Sequence, residues 1–274
     1  MSELYGLLGE KLTHSISPQI HSMVFNKLRM KGYYHLFEFE SKDLKVIMEG
    51  FKVIKPRGIN VTIPYKIKIM DFLDEISNEA KDIGAVNTLK FKEGKIIGYN
   101  TDYFGIGMLF DKYDIKVKNK RATILGNGGV AVTMVQYLLN SGVSEITVVT
   151  RNVSKLKENS KFNSCKLVSY NDIEEIKGTG IVVNCTPLGM YPNLDNSPIE
   201  KKHIGKFESA VDMIYNPKTT LFLKYAQEEG LKAVNGLYML VGQAIASQEI
   251  WNDIKIPKSI IDQIYDDLEK GVEN

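Results

Sequence analysis

Several features are scarce or missing in this chain. It has two cysteines, Cys165 and Cys185, among 274 residues. That is too few for a disulfide framework, and their spacing fits neither a metal-ligand nor a redox motif. Each lies in a short apolar stretch, so both are expected as small buried hydrophobes in a reducing, cytoplasmic setting. The four histidines, His14, His21, His35 and His203, show no metal-ligand spacing, and no metal is expected. No apolar run approaches the ~18 residues of a membrane span. The N-terminus lacks the basic start and apolar run of a secretory signal. An excess of one charge is also missing: 35 basic residues offset 33 acidic ones, for a net +2. Neither a nucleic-acid nor a membrane partner is therefore expected, and an anionic ligand must be met by a few placed donors. With 43% hydrophobic and 25% charged residues, the composition is that of a globular protein.

What the chain does contain is alternation. Apolar runs at 121–126, 145–150, 165–169, 180–185, 209–214 and 231–234 read as strands. Helical patterns lie between them, notably at 130–140, stopped by Ser141-Gly142, and at 220–229. Strand and helix alternating at this spacing mean βαβ units and a parallel sheet covered on both faces. In the first hundred residues, 4–9, 33–40 and 58–63 read as strands and 17–31 and 41–52 as helices. Ser17 is expected as N-cap and Pro18 as first helical residue of the 17–31 helix. A hairpin is expected around Glu93-Gly94. The tail, 237–272, is almost wholly helical in pattern, and the Lys-rich run Lys112–Arg121 reads as a solvated connector. The fold class is α/β: an N-terminal α/β substrate domain and a Rossmann-like, doubly wound dinucleotide-binding domain, with a cleft between them. The first domain is expected over 1–103, completed by helices at about 237–274, and the second over 104–236.

The string Gly126-Asn127-Gly128-Gly129-Val130-Ala131 is a variant of G-x-G-x-x-A. Such a turn lets backbone N–H groups meet a pyrophosphate at a helix N-terminus. Alone it is equally a structural turn; the flanking strand and helix supply the dinucleotide context. The end of the second strand then selects the cofactor. An acidic residue there would bind the ribose 2′-OH of NAD. Thr150-Arg151-Asn152, with Lys155 following, instead offers a guanidinium to clamp a 2′-phosphate, so NADP is the expected cofactor.

Three strings in the N-terminal half place polar side chains where strands end or helices begin: Leu12-Thr13-His14-Ser15-Ile16-Ser17-Pro18-Gln19-Ile20-His21, Asn60-Val61-Thr62-Ile63-Pro64-Tyr65-Lys66, and Gly84-Ala85-Val86-Asn87-Thr88 with Asn100-Thr101-Asp102 after it. Their hydroxyls, amides, lysine and carboxylate suit a small hydroxylated acid. Taken singly, Lys66 reads as a solvated lysine early in a helix. Asp102 reads as an N-cap for the segment starting at Tyr103, with Thr101 competing for that position. His14 and His21, flanking the serine block, read as structural.

Together these strings resemble the signature blocks of the shikimate dehydrogenase family. Asn184-Cys185-Thr186-Pro187-Leu188-Gly189-Met190, Asp212-Met213-Ile214-Tyr215-Asn216-Pro217 and Gly236-Leu237-Tyr238-Met239-Leu240-Val241-Gly242-Gln243-Ala244 agree in the same order. The resemblance is to the stand-alone form rather than the fused one. It implies reversible NADPH-dependent reduction of 3-dehydroshikimate to shikimate, in aromatic amino acid (chorismate) biosynthesis, by a monomer or homodimer. It assigns Lys66 and Asp102 as the catalytic pair, and Ser15 and Ser17 to the substrate carboxylate. Thr62, Asn87, Asp102, Tyr215 and Gln243 are assigned to the ring hydroxyls or carboxylate. Gly126, Asn127, Gly128, Gly129 and Val130 would hold the pyrophosphate, and Thr150, Arg151, Asn152 and Lys155 the adenosine phosphate. Thr186, Ile214, Gly236 and Met239 would lie near the nicotinamide. Two departures from the family pattern stand out: Val130 where small residues are usual, and Thr150 and Asn152 in place of the usual N-R-T order. Reducing a ketone by hydride builds negative charge on its oxygen, so a proton donor within reach is required. Lys66 can fill that role, and which member of the pair holds the proton is left open. Open alternatives are an NAD-preferring quinate/shikimate enzyme, a catalytically silent dinucleotide-binding regulator, and a folate-linked dehydrogenase, which would have no need of the paired serines.

Overall fold

A computed structural model describes residues 2–178 and 180–271. The chain divides into two compact units, Met1–Gly105 with Leu240–Lys270, and Ile106–Met239.

In the first unit the elements are β1 (Glu3–Gly9), α1 (Ser17–Leu28), β2 (Gly32–Glu38), α2 (Leu44–Ile54), β3 (Gly58–Val61), β4 (Glu75–Ile76), α3 (Asn78–Ile83), β5 (Thr88–Lys92) and β6 (Lys95–Tyr99). They form a six-stranded sheet of order β2-β1-β3-β5-β6-β4. β1 pairs in parallel with β2 and β3, whereas β5 runs antiparallel to β3 and β6. β3 is buried along its whole length and β2 alternates, as a central and an edge strand should. α4 (Thr101–Lys112) begins in this unit. Of the tail helices, most of α8 (Leu237–Asn252) and α9 (Lys258–Gly271) belongs to it. Trp251 of α8 is fully buried and donates its indole N–H to the Leu89 carbonyl at 2.9 Å, tying the tail to β5.

The second unit contains β7 (Arg121–Leu125), α5 (Gly129–Asn140), β8 (Glu145–Thr150), α6 (Val153–Lys157), β9 (Lys166–Ser169), β10 (Ile181–Asn184), β11 (Ser209–Asp212), α7 (Leu221–Glu228) and β12 (Lys232–Val234). All five pairings are parallel, in the order β12-β11-β10-β7-β8-β9. This is the doubly wound order of a Rossmann fold, whose ligand crevice lies beyond the carboxyl ends of the strands. β10 and β11 are buried throughout, in keeping with a sheet packed on both faces.

Several local expectations need correction. Ser17 is the first residue of α1, not its cap; the helix opens from Ile16 without a side-chain cap. It also ends three residues early, because Arg29 turns left-handed at φ 54°. Lys66 lies in a turn, ahead of a short 3-10 helix at Lys68–Phe72, not in an α-helix. The cap of α4 comes from Asn100, whose Oδ1 accepts the Tyr103 N–H at 3.3 Å, so neither Thr101 nor Asp102 fills that role. The tail breaks between α8 and α9, where Asp253 has φ 51° and Pro257 follows; its last residues, 272–274, lie outside the described residues. The connector after α4 is not wholly solvated, since Ile115 and Val117 are buried. Cys185 is buried, as expected, whereas Cys165 is only half-buried.

Candidate active site

A cavity of about 490 Å3 opens in the first unit at the carboxyl ends of β1 and β3. Ser15, Ser17, Thr62, Lys66, Asn87, Asp102 and Gln243 all line it. Seven of the eight substrate residues named from sequence thus share one wall-set. The eighth, Tyr215, belongs to the second unit, half-buried in the loop after β11, where burial pushes its phenol pKa up.

Each side chain is positioned by local bonding. Tyr65 is fully buried, and its hydroxyl donates to the Phe39 carbonyl. That anchors the turn from which the next residue, Lys66, emerges. The Lys66 carbonyl accepts the Val86 N–H at 2.8 Å, pinning the turn from the other side. Asp102 sits in the first turn of α4, where a helix N-terminus favours negative charge. Lys66 Nζ donates to Asp102 Oδ2 at 2.6 Å, with both side chains partly screened from water. Ser15 Oγ accepts the Ser17 N–H at 3.3 Å, which sets the loop before α1. At the loop's start, Glu38 accepts the Leu12 N–H at 2.8 Å.

Behind the cavity wall lies a buried polar network that the sequence reading missed. Asn60 donates to Thr88 Oγ1 at 2.9 Å and to Ser247 Oγ at 2.8 Å, and accepts from Tyr34 at 2.8 Å. Thr88, Thr101 and Ser247 bring their hydroxyls within 2.9–3.2 Å of one another. Such a network holds its members rigidly only when every member is satisfied. Thr88 and Thr101 of the third motif are thus braces, with the neighbouring Asn87 and Asp102 lining the cavity. Ser247 had a readable signal: it lies one helical turn after Gln243, on the same face of α8. His21 is also structural, fully buried and stacked on Tyr34 at 4.1 Å.

In the second unit a cavity of about 480 Å3 lies at the carboxyl ends of β7, β8 and β10. Gly126, Asn127, Gly128, Thr150, Arg151 and Thr186 line it, and among the described residues Arg151 is the one charged residue in its lining. Gly126 has φ 99°, and a Cβ there would meet the Thr186 methyl at 2.8 Å, so only glycine fits. A Cβ on Gly128 or Gly129 would meet nothing within 4 Å. α5 starts at this open space with no side-chain cap and no acid in its first turn. Its leading N–H groups therefore have no side-chain acceptor, which fits a pyrophosphate. Arg151 beside the Thr150 hydroxyl fits a phosphate on the ribose.

The other cofactor residues named from sequence do not line this cavity. Gly129 and Val130 form the first turn of α5. Asn152 spends its side-chain oxygen on capping α6, accepting the Lys155 N–H at 2.9 Å, and Lys155 itself is exposed. Ile214 and Met239 are buried. Gly236 donates its N–H to Ile214 at 3.0 Å, and a Cβ there would strike the Met213 carbonyl at 2.4 Å. Tyr170 and Cys185 line the cavity and were not foreseen as ligand-facing. Both stand at or just beyond the carboxyl end of a strand, as Arg151 does, and that position was the available signal.

The loops after β10 and β11 are joined by a buried carboxylate. Asp212 accepts from Asn184 Nδ2 and from the Ile214 N–H, both at 3.0 Å, and from Thr220 at 2.6 Å. Burial nevertheless raises its pKa to about 6. Asn184 in turn accepts the Thr186 N–H at 2.9 Å and the Thr186 hydroxyl at 2.7 Å.

Two family models match the chain. The one described as shikimate dehydrogenase substrate binding domain covers residues 7–89, and the one described as shikimate / quinate 5-dehydrogenase covers 109–201. A relative from Clostridium beijerinckii named shikimate dehydrogenase (NADP(+)) is 45% identical over 96% of this chain and 97% of its own. The chain belongs to the shikimate dehydrogenase family. Its structure is similar to the crystal structure of a chorismate mutase/shikimate 5-dehydrogenase fusion protein from Clostridium acetobutylicum, with a TM-score of 0.97 and 50% identity over 100% of both chains. It also resembles shikimate 5-dehydrogenase from Thermus thermophilus, solved in complex with NADP(H) and shikimate. That likeness has a TM-score of 0.85 and 29% identity over 96% of this chain and 98% of the other. The segment matching the substrate-binding model of the shikimate dehydrogenases contributes Ser15, Ser17, Thr62, Lys66 and Asn87 to the first cavity.

Proposed function

We propose that the chain is an NADP-dependent oxidoreductase that interconverts 3-dehydroshikimate and shikimate, a step toward chorismate and the aromatic amino acids. The observation that carries this is the 2.6 Å Lys66–Asp102 pair in the wall of a cavity otherwise rich in hydroxyls and amides. Ser15 and Ser17 take the substrate carboxylate. Thr62, Asn87, Asp102, Tyr215 and Gln243 take the ring hydroxyls or the carboxylate.

Gly126 to Val130 hold the pyrophosphate of NADP, and Arg151, with Thr150, Asn152 and Lys155, its adenosine phosphate. Thr186, Ile214, Gly236 and Met239 flank the nicotinamide. When bound, the nucleotide would supply the hydride as NADPH and take it up as NADP+. In the reducing direction the Lys66–Asp102 pair delivers a proton to the oxygen on which charge builds, and Lys66 stabilises that oxygen before transfer. In the oxidising direction the pair withdraws the hydroxyl proton.

An NAD-preferring enzyme would call for a carboxylate where Arg151 stands. A silent regulator would have no use for Lys66 and Asp102 in contact. We take the protein to work in the cytoplasm as a monomer or homodimer; among the described residues, no helix is long and apolar enough to cross a membrane. The test is a shikimate oxidation assay with NADP and NAD in parallel, and with quinate as second substrate. Saturable, shikimate-dependent formation of NADPH is expected. Its absence would leave a dinucleotide-binding regulator as the reading.

A further inference from the structure

The first unit carries a second cavity, of about 390 Å3, which shares no lining residue with the candidate active site. The two lie at opposite ends of the same strands. β1 begins at Glu3, in the wall of the second cavity, and runs to Leu7, in the wall of the first. Arg57 stands just before β3, whose far end supplies Asn60 and Val61 to the active site.

The walls of this second cavity are basic. Lys52, Lys55, Arg57, Lys92 and Lys95 line it, against Glu3 and Glu93. Lys95 is paired with Glu75 at 2.6 Å. The other four cations make no ion pair among the described residues. Asp253 acts on Arg57 and Lys92 at Coulombic range, but its carboxylate is hydrogen-bonded to Lys90. Lys52 and Lys55 lie at the carboxyl end of α2, where they offset the negative end of the helix.

Arg57 is different. Its main chain is fixed by a 2.8 Å bond from its N–H to the Leu4 carbonyl. Its Nε is buried and has no hydrogen-bond partner. With Nε enclosed by protein and out of a ligand's reach, only the terminal nitrogens of the guanidinium are left to meet one. Their fork suits the geometry of phosphate and carboxylate.

We propose that this cavity is a binding site for a small phosphate-bearing metabolite, with Arg57 as its principal ligand and Lys92 as the second cation. Glu3 and Glu93 in the same wall disfavour an extended polyanion, so the occupant is compact. A phosphate is preferred to a carboxylate because its oxygens can engage Arg57 and the separate ammonium of Lys92 together. The site stands independently of the proposed dehydrogenase activity.

Calorimetric titration with inorganic pyrophosphate tests it, at low ionic strength and on the full chain. A parallel titration in saturating NADP separates this site from the dinucleotide cavity, whose glycine turn is itself assigned to a pyrophosphate. With NADP present, one pyrophosphate per chain is expected, with a Kd below about 1 mM. Arg57→Gln with Lys92→Gln is expected to weaken binding by about tenfold or more, with shikimate oxidation and the circular dichroism spectrum unchanged. Lys92→Gln alone, at the exposed end of β5, guards against misfolding of the double variant and is expected to weaken binding about threefold, as loss of one charge contact implies. With NADP present, no binding, or binding of undiminished strength in the Arg57 and Lys92 variants, overturns the proposal.

Discussion

The side-chain oxygen of Asn87 accepts the backbone N–H of Thr101 at 2.7 Å. The hydroxyls of Thr88 and Thr101 reach the same oxygen at 3.1 Å each. With its oxygen taken up behind the wall, Asn87 has only its NH2 group to offer to the cavity it lines. Asn87→Ala should therefore do two separable things. It strands a buried N–H, costing about 1–3 kcal/mol in chemical denaturation, and it removes a substrate donor, raising KM for shikimate. Asn87→Asp keeps the acceptor and removes the donor, so its KM should rise with a smaller loss of stability. Equal stability losses in the two variants would count against the bracing role.

Lys66→Ala should lower kcat by about 10²–10⁴-fold, the usual range for a lost general acid–base group. Binding of NADPH, followed by nucleotide fluorescence, should survive. Near-normal turnover would remove Lys66 from the chemistry.

Arg151→Ala should weaken NADP binding by about 10–100-fold, as expected from losing hydrogen bonds to a charged group of roughly 1.5–3 kcal/mol. NAD binding should change little. An unaltered NADP/NAD ratio of kcat/KM would show that the 2′-phosphate is held elsewhere.

Two buried groups act on stability with opposite signs. Burial holds His21 down at about 3, while an unfolded histidine titrates near 6.5. Between those values the unfolded chain takes the proton first, so the stability present above pH ~6.5 falls as pH drops. Asp212 is raised from 3.8 to about 6, so the native state takes its proton first. Its contribution is full below the unfolded value and is lost as pH rises through 6. Asp212→Asn should therefore gain in Tm relative to wild type between pH 4 and 7, by an amount equivalent to at most ~3 kcal/mol. His21→Phe should flatten the acid side of the profile. A Tm difference independent of pH in either variant would refute the corresponding titration.

Much of this was legible in the sequence, for identifiable reasons. The parallel strands announce themselves because buried strands are continuous apolar runs, and the turn at Gly126 because glycine marks a left-handed backbone. Lys66 and Asp102 were legible only through the resemblance, since neither has a local signature. What escaped was long-range or short. The Asn60–Ser247 bond spans 187 positions, and no local pattern reports such a pairing. β4 has two residues and α3 six, too few for a periodicity to emerge. The α4 cap was ambiguous because Asn100, Thr101 and Asp102 are all capping residues, and geometry alone chose Asn100.

The bond between Asn184 and Thr186 has a consequence for selectivity. A threonine hydroxyl is ordinarily ambivalent, able to give a proton to one neighbour and receive one from another. Here its single hydrogen is committed to Asn184, and the Leu188 N–H takes one lone pair at 3.2 Å. What Thr186 presents to the cavity is one-directional. A ligand that brings an N–H or O–H to it is welcomed, whereas a ligand of the same size that brings a carbonyl meets lone pair against lone pair. Asp212, which holds the Asn184 amide the right way round, thereby imposes a polarity on a site that it does not line.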